Sequence, residues 1–288
     1  MADRAIVHLD AERQRWFEAA AARIDADRLG ALIRSLTAIH SPTGAELDAC
    51  RFLADYLSDF GMASEVQRVG ETSANCIGRH RGGSDGPVLM LYAPIDTHLE
   101  TTPETELPWA GDHLRADMRP DVREQDGCII GLGASNPKSM LATLVEACRC
   151  VVEAGVPLTG ELMLATAGGG MPQVVPARGG AGISSGVSYM LSHGVAPDFG
   201  IILKPWDSVY HEHPGMCWFR VTTRGTLGYA GIPRGVPGFR SSIVPAARVI
   251  LELEDWLADW PDRHESGQVR PEGWISAVRA GWPDRAAF

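Results

Sequence analysis

Asp126-Gly-Cys-Ile-Ile-Gly-Leu-Gly-Ala-Ser-Asn-Pro-Lys-Ser139 is the most informative stretch of this sequence. It passes from a short apolar run through two glycines into an apolar segment with helical spacing, which predicts a helix over 139–154. The stretch contains Lys138, one of only two lysines among 26 Lys and Arg residues; the other is Lys204. Ser135 and Lys138 have Ser-x-x-Lys spacing, which would place both side chains on one face at the start of a helix.

Apolar runs that precede and follow this helix predict the fold class. We expect buried strands at 87–93, 161–166 and 199–203, separated by helices. Alternating strands and helices indicate an α/β domain with a mostly parallel sheet flanked by helices, over residues 1–213. In such sheets chemistry is found in loops at the carboxyl ends of strands, here 94–100, 132–139, 167–172 and 204–207. A second unit, 214–288, is predicted to contain strands at 217–224 and 274–278 and a helix at 241–260.

Composition narrows the class of protein. The chain has 288 residues, 45% hydrophobic residues and a formal net charge of −10. Binding a polyanion requires clustered positive charge, so we expect neither nucleic acid nor a membrane surface as a partner. The first 30 residues have no uninterrupted apolar core, which argues against a signal peptide or a membrane span and favours the cytoplasm. The six cysteines include no CxxC pair and are expected to be reduced thiols.

Three motifs in sequence order give the chain a family resemblance. They are Leu91-Tyr-Ala-Pro-Ile-Asp-Thr97, Pro108-Trp109-Ala-Gly-Asp112-His and the opening stretch. Together they resemble the M20 family of metallohydrolases, which includes acetylornithine deacetylase and succinyl-diaminopimelate desuccinylase. The resemblance implies an α/β catalytic domain interrupted by a small α+β lid domain, of which 214–288 would be a part. It also implies a shared site for two zinc ions.

At the matching positions most of the family's zinc ligands are replaced. The substitutes are Pro94 for a histidine, Asn136 for the bridging aspartate, Gly168–Gly170 at the Glu-Glu pair of general base and ligand, and Lys204 for a glutamate. Tyr229 replaces the lid histidine that contacts substrate in the family. Only Asp96 and Lys138 remain as in the family. Proline offers no ligand atom and lysine repels cations, so no metal and no other cofactor is expected.

The leading hypothesis is a hydrolase that cleaves the C–N bond of a small carboxylate-bearing N-acyl or amide compound without zinc. Ser135 would be the nucleophile with Lys138 as its base, since desolvated lysine can lose its proton. Lys138 and Lys204 would replace the charge of zinc, Asp96 would orient a lysine, and Gly168–Gly170 would offer N–H donors to an oxyanion. Secondary candidates for substrate binding, by location, are Asn136, Gly169, Gly170, Tyr229 and His98.

Several alternatives remain open on the sequence. Ser135 could cap the helix while Lys138 pairs with an acid such as Asp96. The protein could be a non-catalytic binding or interaction protein on the same scaffold. It could also be a zinc enzyme with displaced ligands, drawn from Asp96-Thr-His98 or from His211-Glu-His213 on a strand.

The resemblance also bears on assembly. The family's chain returns from the lid to the catalytic domain, whereas this sequence ends at Phe288, inside the expected lid. We therefore expect a truncated or split product, or a partner chain that completes the lid. Unpaired strand edges and an uncovered apolar helix face predict a homo-oligomer.

Overall fold

The computed structural model describes residues 8–171, 182–205, 208–213, 215–226, 237–265, 267–268 and 270–280. The chain forms two units, 1–206 and 207–288. The described helices are α1 (Ala11–Ala21), α2 (Ala26–Ala38), α3 (Leu47–Ser58), α4 (Pro103–Ala110), α5 (Met140–Glu153), α6 (Ser185–Ser192), α7 (Ile243–Ala258) and α8 (Trp260–Arg263). A short 3₁₀ turn lies at Ala116–Met118, and a π-helical segment with a kink at Asn136 lies at Ala134–Ser139. The described strands are β1 (Ala63–Arg68), β2 (Ala74–Arg81), β3 (Val88–Tyr92), β4 (Arg123–Gln125), β5 (Cys128–Ile130), β6 (Glu161–Thr166) and β7 (Phe199–Ile202).

A five-stranded sheet in the order β1-β2-β6-β3-β7 forms the centre of the first unit. Strands β6, β3 and β7 are parallel neighbours, whereas β1 and β2 run antiparallel to each other and β2 runs antiparallel to β6. Strands β4 and β5 form a separate hairpin. The predicted α/β class is confirmed, with a parallel centre that brings the carboxyl ends of three strands to one edge.

Strand β6 explains how both faces of the sheet are covered. Its residues alternate, because successive side chains of a strand point to opposite faces. Leu162 and Leu164 enter the larger core, formed with α2, α3 and α5, while Met163 and Ala165 enter a smaller core with Met190 of α6. Burial on both faces accounts for the nearly continuous apolar run in the sequence.

Helix α3 shows how the sequence selects its buried face. Ala49, Cys50, Leu53, Ala54 and Leu57 are buried, with the i, i+4 and i+8 spacing of one helical face. This face packs on β1 and β2. The helix therefore fixes the position of the segment that leads into it, which contributes to the candidate site.

The second unit contains helix α7, as predicted, but the two predicted strands are wrong. Residues 217–224 and 274–278 are neither helical nor in strands. A strand requires a neighbour for its backbone hydrogen bonds, and in the described part of this unit neither segment has a ladder partner. Among the described residues no helix is both long and apolar enough to cross a membrane.

Candidate functional site

The loop that follows β3 is fastened to the segment that precedes α3. Ser41 Oγ donates to the Ile95 carbonyl at 2.9 Å, and Thr97 N donates to the Ser41 carbonyl at 2.9 Å. Thr43 N in turn donates to the Thr97 carbonyl at 2.9 Å. Asp96 lies in the middle of this loop and is 4% exposed. The loop is therefore held in one conformation, with its carboxylate buried.

The Asp96 carboxylate holds the loop that follows β6. Its Oδ2 accepts hydrogen bonds from Thr43 Oγ1 at 2.8 Å, Gly170 N at 2.9 Å and Met171 N at 3.1 Å. The prediction that Asp96 orients a lysine, as catalytic partner or as a simple ion pair, is wrong among the described residues. The donors that reach it are one hydroxyl and two backbone N–H groups.

A second buried carboxylate, Glu46, also binds the loop that follows β6. Oε1 accepts from Gly44 N at 2.6 Å and from Gly169 N at 2.8 Å, and Oε2 accepts from Ser73 Oγ at 2.7 Å. The residue is fully buried. Burial raises the pKa of Glu46, and the nearby charge of Asp96 also raises it, while the three hydrogen bonds oppose the shift.

Residues Gly168–Met171 form the glycine loop that follows β6. The two carboxylates and the amide oxygen of Asn75 accept hydrogen bonds from all four of its N–H groups. Gly168 N donates to Asn75 Oδ1 at 3.2 Å, and the next three N–H groups reach Glu46 and Asp96. The sequence predicts that Gly168–Gly170 offer N–H donors to an oxyanion. That prediction is wrong in this structure, because buried side-chain acceptors compete for the same N–H groups.

The same contacts leave no room for side chains in the glycine loop. A Cβ atom at Gly168 would lie 2.5 Å from Glu46 Oε2. Gly169 has a φ of +66°, which L side chains rarely adopt, and its Cβ would overlap Ser185 Oγ. The loop conformation and glycine at these positions therefore require each other.

Lys138 is buried and bonded to backbone carbonyls. It is 1% exposed, and its Nζ donates to the Leu36 carbonyl at 2.8 Å and to the Ile39 carbonyl at 2.6 Å. These are carbonyls at the end of α2, which have no intrahelical partner, so Lys138 caps that helix. Burial lowers the pKa of Lys138 to about 8. The amine is directed at α2 and does not bond Ser135.

The backbone explains why the Ser-x-x-Lys pair does not form. Asn136, which precedes Pro137, has an extended conformation (φ −134°, ψ 120°), as residues before proline prefer. The regular helix begins only at Met140. The expected shared helical face of Ser135 and Lys138 is therefore absent, and the proposed nucleophile–base pair is corrected.

The remaining candidates lie nearer the surface. Ser135, Asn136 and His98 are exposed and Lys204 is half-buried. None of these four side chains has a hydrogen bond or ion pair to another described residue. Tyr229 lies outside the described residues.

Three loops meet at this edge of the sheet. The loop after β6 contacts the loop after β3 through the Gly170–Asp96 hydrogen bond. The turn before α5 approaches the same loop so closely that a Cβ atom at Gly133 would lie 2.8 Å from Thr97 Cγ2. Segments 94–100 and 132–139 thus meet the described part of 167–172, which ends at Met171.

The displaced metal pairs do not form in the described part of the chain. Asp96 is engaged by the glycine loop, whereas His98, two residues later, is exposed. His211 and His213 are not on a strand. No group of three or more His, Cys, Asp or Glu side chains able to hold a metal is found among the described residues.

The sequence analysis missed Glu46 and Asn75, which position the glycine loop. Both are fully buried although polar. A signal existed for Glu46, which follows the Ser41-Pro-Thr-Gly44 turn directly before an apolar helix. Asn75 is the second residue of β2, in the buried half of the strand, where an amide is unusual. Neither position reveals its partner, because Gly168 and Gly169 lie 93 and 123 residues further along the chain.

Comparison with known proteins relates the chain to a set of hydrolases, although no family model matches it. A probable succinyl-diaminopimelate desuccinylase of Staphylococcus epidermidis is 25% identical over 207 residues, which are 70% of this chain and 45% of the relative. The succinyl-diaminopimelate desuccinylase of Gluconacetobacter diazotrophicus is 27% identical over 185 residues, which are 62% of this chain and 42% of the relative. The chain spans less than half the length of these curated relatives.

A solved structure supports the fold. A tripeptidase from Staphylococcus aureus superimposes with a TM-score of 0.50 and 18% identity, over 80% of this chain and 57% of the tripeptidase. At that identity the likeness concerns the fold alone. The chain is therefore similar in sequence to curated desuccinylases and shares its fold with a peptidase.

Proposed function

We propose that this protein is an M20-type amidohydrolase that cleaves the C–N bond of a small carboxylate-bearing N-acyl compound. The observation that supports the proposal is the meeting of three loops at the carboxyl ends of β3 and β6 and before α5, around Asp96 and Thr97. Ligand sites of open α/β sheets lie at this edge. The proposed substrate class comes from the relatives, which are named succinyl-diaminopimelate desuccinylases.

We further propose that the reaction does not use the two zinc ions typical of the family. At the positions that resemble the ligand positions, Pro94 has no donor atom and Asn136 offers a neutral amide. Glycines replace the acidic pair, and the buried Glu46 and Asp96 fill the space in which side chains at 168 and 170 would begin. The described residues therefore fit a two-zinc site poorly.

Lys204 is the proposed cation of the site. It lies two residues after the end of β7, and its ammonium has no bond to another described residue, whereas the amine of Lys138 is engaged at α2. A lysine head is a compact point charge suited to a carboxylate or to the negative oxygen that develops when water attacks an amide carbonyl. His98 and Asn136 are proposed to contribute hydrogen bonds to the same substrate.

A second candidate function is a binding protein without catalysis. The observation that favours it is that the amine and N–H groups which a hydrolase would use are already hydrogen-bonded within the protein. Lys138 donates to two carbonyls, and the N–H groups of Gly168–Gly170 donate to buried acceptors. The structure offers Ser135 no base among the described residues. Lys204 would then hold a carboxylate ligand that is not transformed.

An assay with a metal control separates these candidates. The full chain is incubated with N-succinyl and N-acetyl amino acids, with and without a chelator, and released amine is measured. Turnover that survives the chelator and falls in Lys204→Met, but not in the exposed control Arg81→Met, supports the zinc-free hydrolase. Activity that is lost with chelator and restored by zinc contradicts it. Calorimetric binding that depends on Lys204, without turnover, supports the second candidate.

A further inference from the structure

Tyr92 lies where the three parallel strands lead into their loops. It is the last residue of β3, and in the register of the sheet it lies opposite Ala165 of β6 and Ile202 of β7. The glycine loop begins three residues after Ala165, and Lys204 follows two residues after Ile202. Because β3 has a strand on each side, the position of Tyr92 is fixed by neighbours within the described part of the chain.

The hydroxyl of Tyr92 is a polar group in an apolar setting. The side chain packs against the smaller core, which contains Met163, Ala165 and Met190, and it is partly buried. The hydroxyl forms no hydrogen bond with another described residue. Tyrosine hydroxyls in packed surroundings usually have a partner, so this one is a candidate for a hydrogen bond to a ligand.

The charge state of Tyr92 decides which ligand group it can bind. Burial raises the pKa of Tyr92 above its usual value of about 10, and the nearby charge of Asp96 raises it further. The phenol is therefore neutral near pH 7 and serves as a hydrogen-bond donor rather than as a base. The carboxylate of Asp96 would also repel an anionic ligand group at this hydroxyl. A neutral carbonyl oxygen satisfies both conditions.

We propose that the Tyr92 hydroxyl binds the neutral carbonyl oxygen of the substrate's acyl group, while Lys204 binds the substrate carboxylate. This assignment rests on the proposed function and divides the substrate between polar groups at the ends of neighbouring strands. Tyr92 is then a specificity-determining residue, because it favours compounds that carry an acyl carbonyl over simple carboxylates. The phenol keeps its proton throughout, and no covalent step is assigned to it.

Two ligands that differ only at the carbonyl test this assignment without turnover. Levulinate is the ketone analogue of N-acetylglycine and has no C–N bond to cleave, whereas valerate has a methylene in place of the carbonyl. NMR titration of the full chain with each ligand measures the two dissociation constants. The wild type should bind levulinate about tenfold more tightly than valerate, which corresponds to one hydrogen bond.

Three variants assign the preference for levulinate to its source. Tyr92→Phe should lose the preference and still bind valerate as the wild type does, which also shows that the variant is folded. Lys204→Met should weaken both ligands by a similar factor and keep the preference. Tyr56→Phe is the matched control, because Tyr56 is also partly buried but packs between Phe52 and Phe60; it should bind both ligands normally. A wild type without the preference, or a preference that survives in Tyr92→Phe, overturns the proposal.

The titration is distinguishable from the test of the hydrolase proposal. Absence of turnover in the chelator assay, together with a levulinate preference that depends on Tyr92, contradicts the hydrolase and supports Tyr92 as the carbonyl donor. Turnover in that assay without any levulinate preference overturns the role of Tyr92 alone.

Fluorine NMR locates the contact independently of affinity. The chain has five tyrosines, so labelling with 3-fluorotyrosine gives few resonances, and the one that is absent from Tyr92→Phe is assigned to Tyr92. Levulinate should shift this resonance more than valerate does, and it should leave the resonance of Tyr56 unchanged. Equal shifts with the two ligands, or a shift of Tyr56 alone, contradict the assignment.

Discussion

Lys138 Nζ donates to the Ile39 carbonyl at 2.6 Å, and this bond joins the turn before α5 to the end of α2. The lysine lies in a stretch that resembles an active-centre motif, yet its ammonium is directed into the protein. With the second bond, to Leu36, it satisfies two carbonyls that the helix leaves without partners.

We predict that Lys138→Met destabilises the first unit by about 2–4 kcal/mol, because two buried carbonyls lose their donor while the apolar volume is kept. Urea unfolding measures the change. Lys204→Met is the matched control, since Lys204 is half-buried and unbonded among the described residues; it should cost less than about 1 kcal/mol. Equal losses in the two variants would show that the capping bonds contribute nothing.

Glu46 gives a prediction with a defined pH dependence. Its pKa is raised in the folded state, so above the unfolded value near 4.5 the folded protein binds more protons than the unfolded one. The contribution of Glu46 to stability is therefore full at low pH and falls as pH rises through the raised pKa. The wild type should lose stability relative to Glu46→Gln between pH 4.5 and pH 7. Parallel pH profiles would contradict this assignment.

A second substitution at the same position tests the hydrogen bonds. Glutamine keeps an oxygen for Gly44 N and Gly169 N, so Glu46→Gln should be tolerated at pH 7. Glu46→Ala leaves those N–H groups without acceptors and opens a cavity, with an expected loss of about 2–4 kcal/mol. A loss as large for glutamine as for alanine would indicate that the charge, rather than the acceptor geometry, holds the loop.

Gly169→Ala should be markedly more destabilising than an alanine at a glycine of similar backbone conformation. Gly61 is that control: its φ is +91° and nothing lies within 4 Å of its Cβ position. The left-handed conformation alone costs about 1–2 kcal/mol in both variants. At Gly169 the overlap with Ser185 Oγ adds to that cost. Thermal unfolding of both variants measures the difference, and equal melting temperatures would show that the loop yields freely.

Patterns of apolar residues were sufficient to predict strands β3, β6 and β7 and helix α5 of the first unit. The alternation in β6 and the helical spacing in α5 are local properties of the chain, and both elements appear close to their predicted ranges. The meeting of the loops after β3 and β6 followed from the parallel pairing of these strands. These predictions succeeded because burial imposes a period that the sequence displays directly.

The partners of polar side chains were not predictable in the same way. Lys138 bonds carbonyls 99 and 102 residues away, and backbone carbonyls carry no mark in the sequence. Pro137 was the one local signal that Ser135 and Lys138 do not share a helical face, since the residue before a proline avoids the helical conformation. The glycine loop was misjudged because its missing side chains suggested open space, whereas Glu46 and Asp96 fill it.

Zinc content tests the central claim most directly, that buried carboxylates hold the glycine loop in place of a two-metal centre. The purified full chain and Asp96→Asn are dialysed against zinc, passed over a desalting column and analysed for metal. The account predicts well below one equivalent of retained zinc for both proteins. One or two tightly bound equivalents in the wild type, lost in Asp96→Asn, would contradict it.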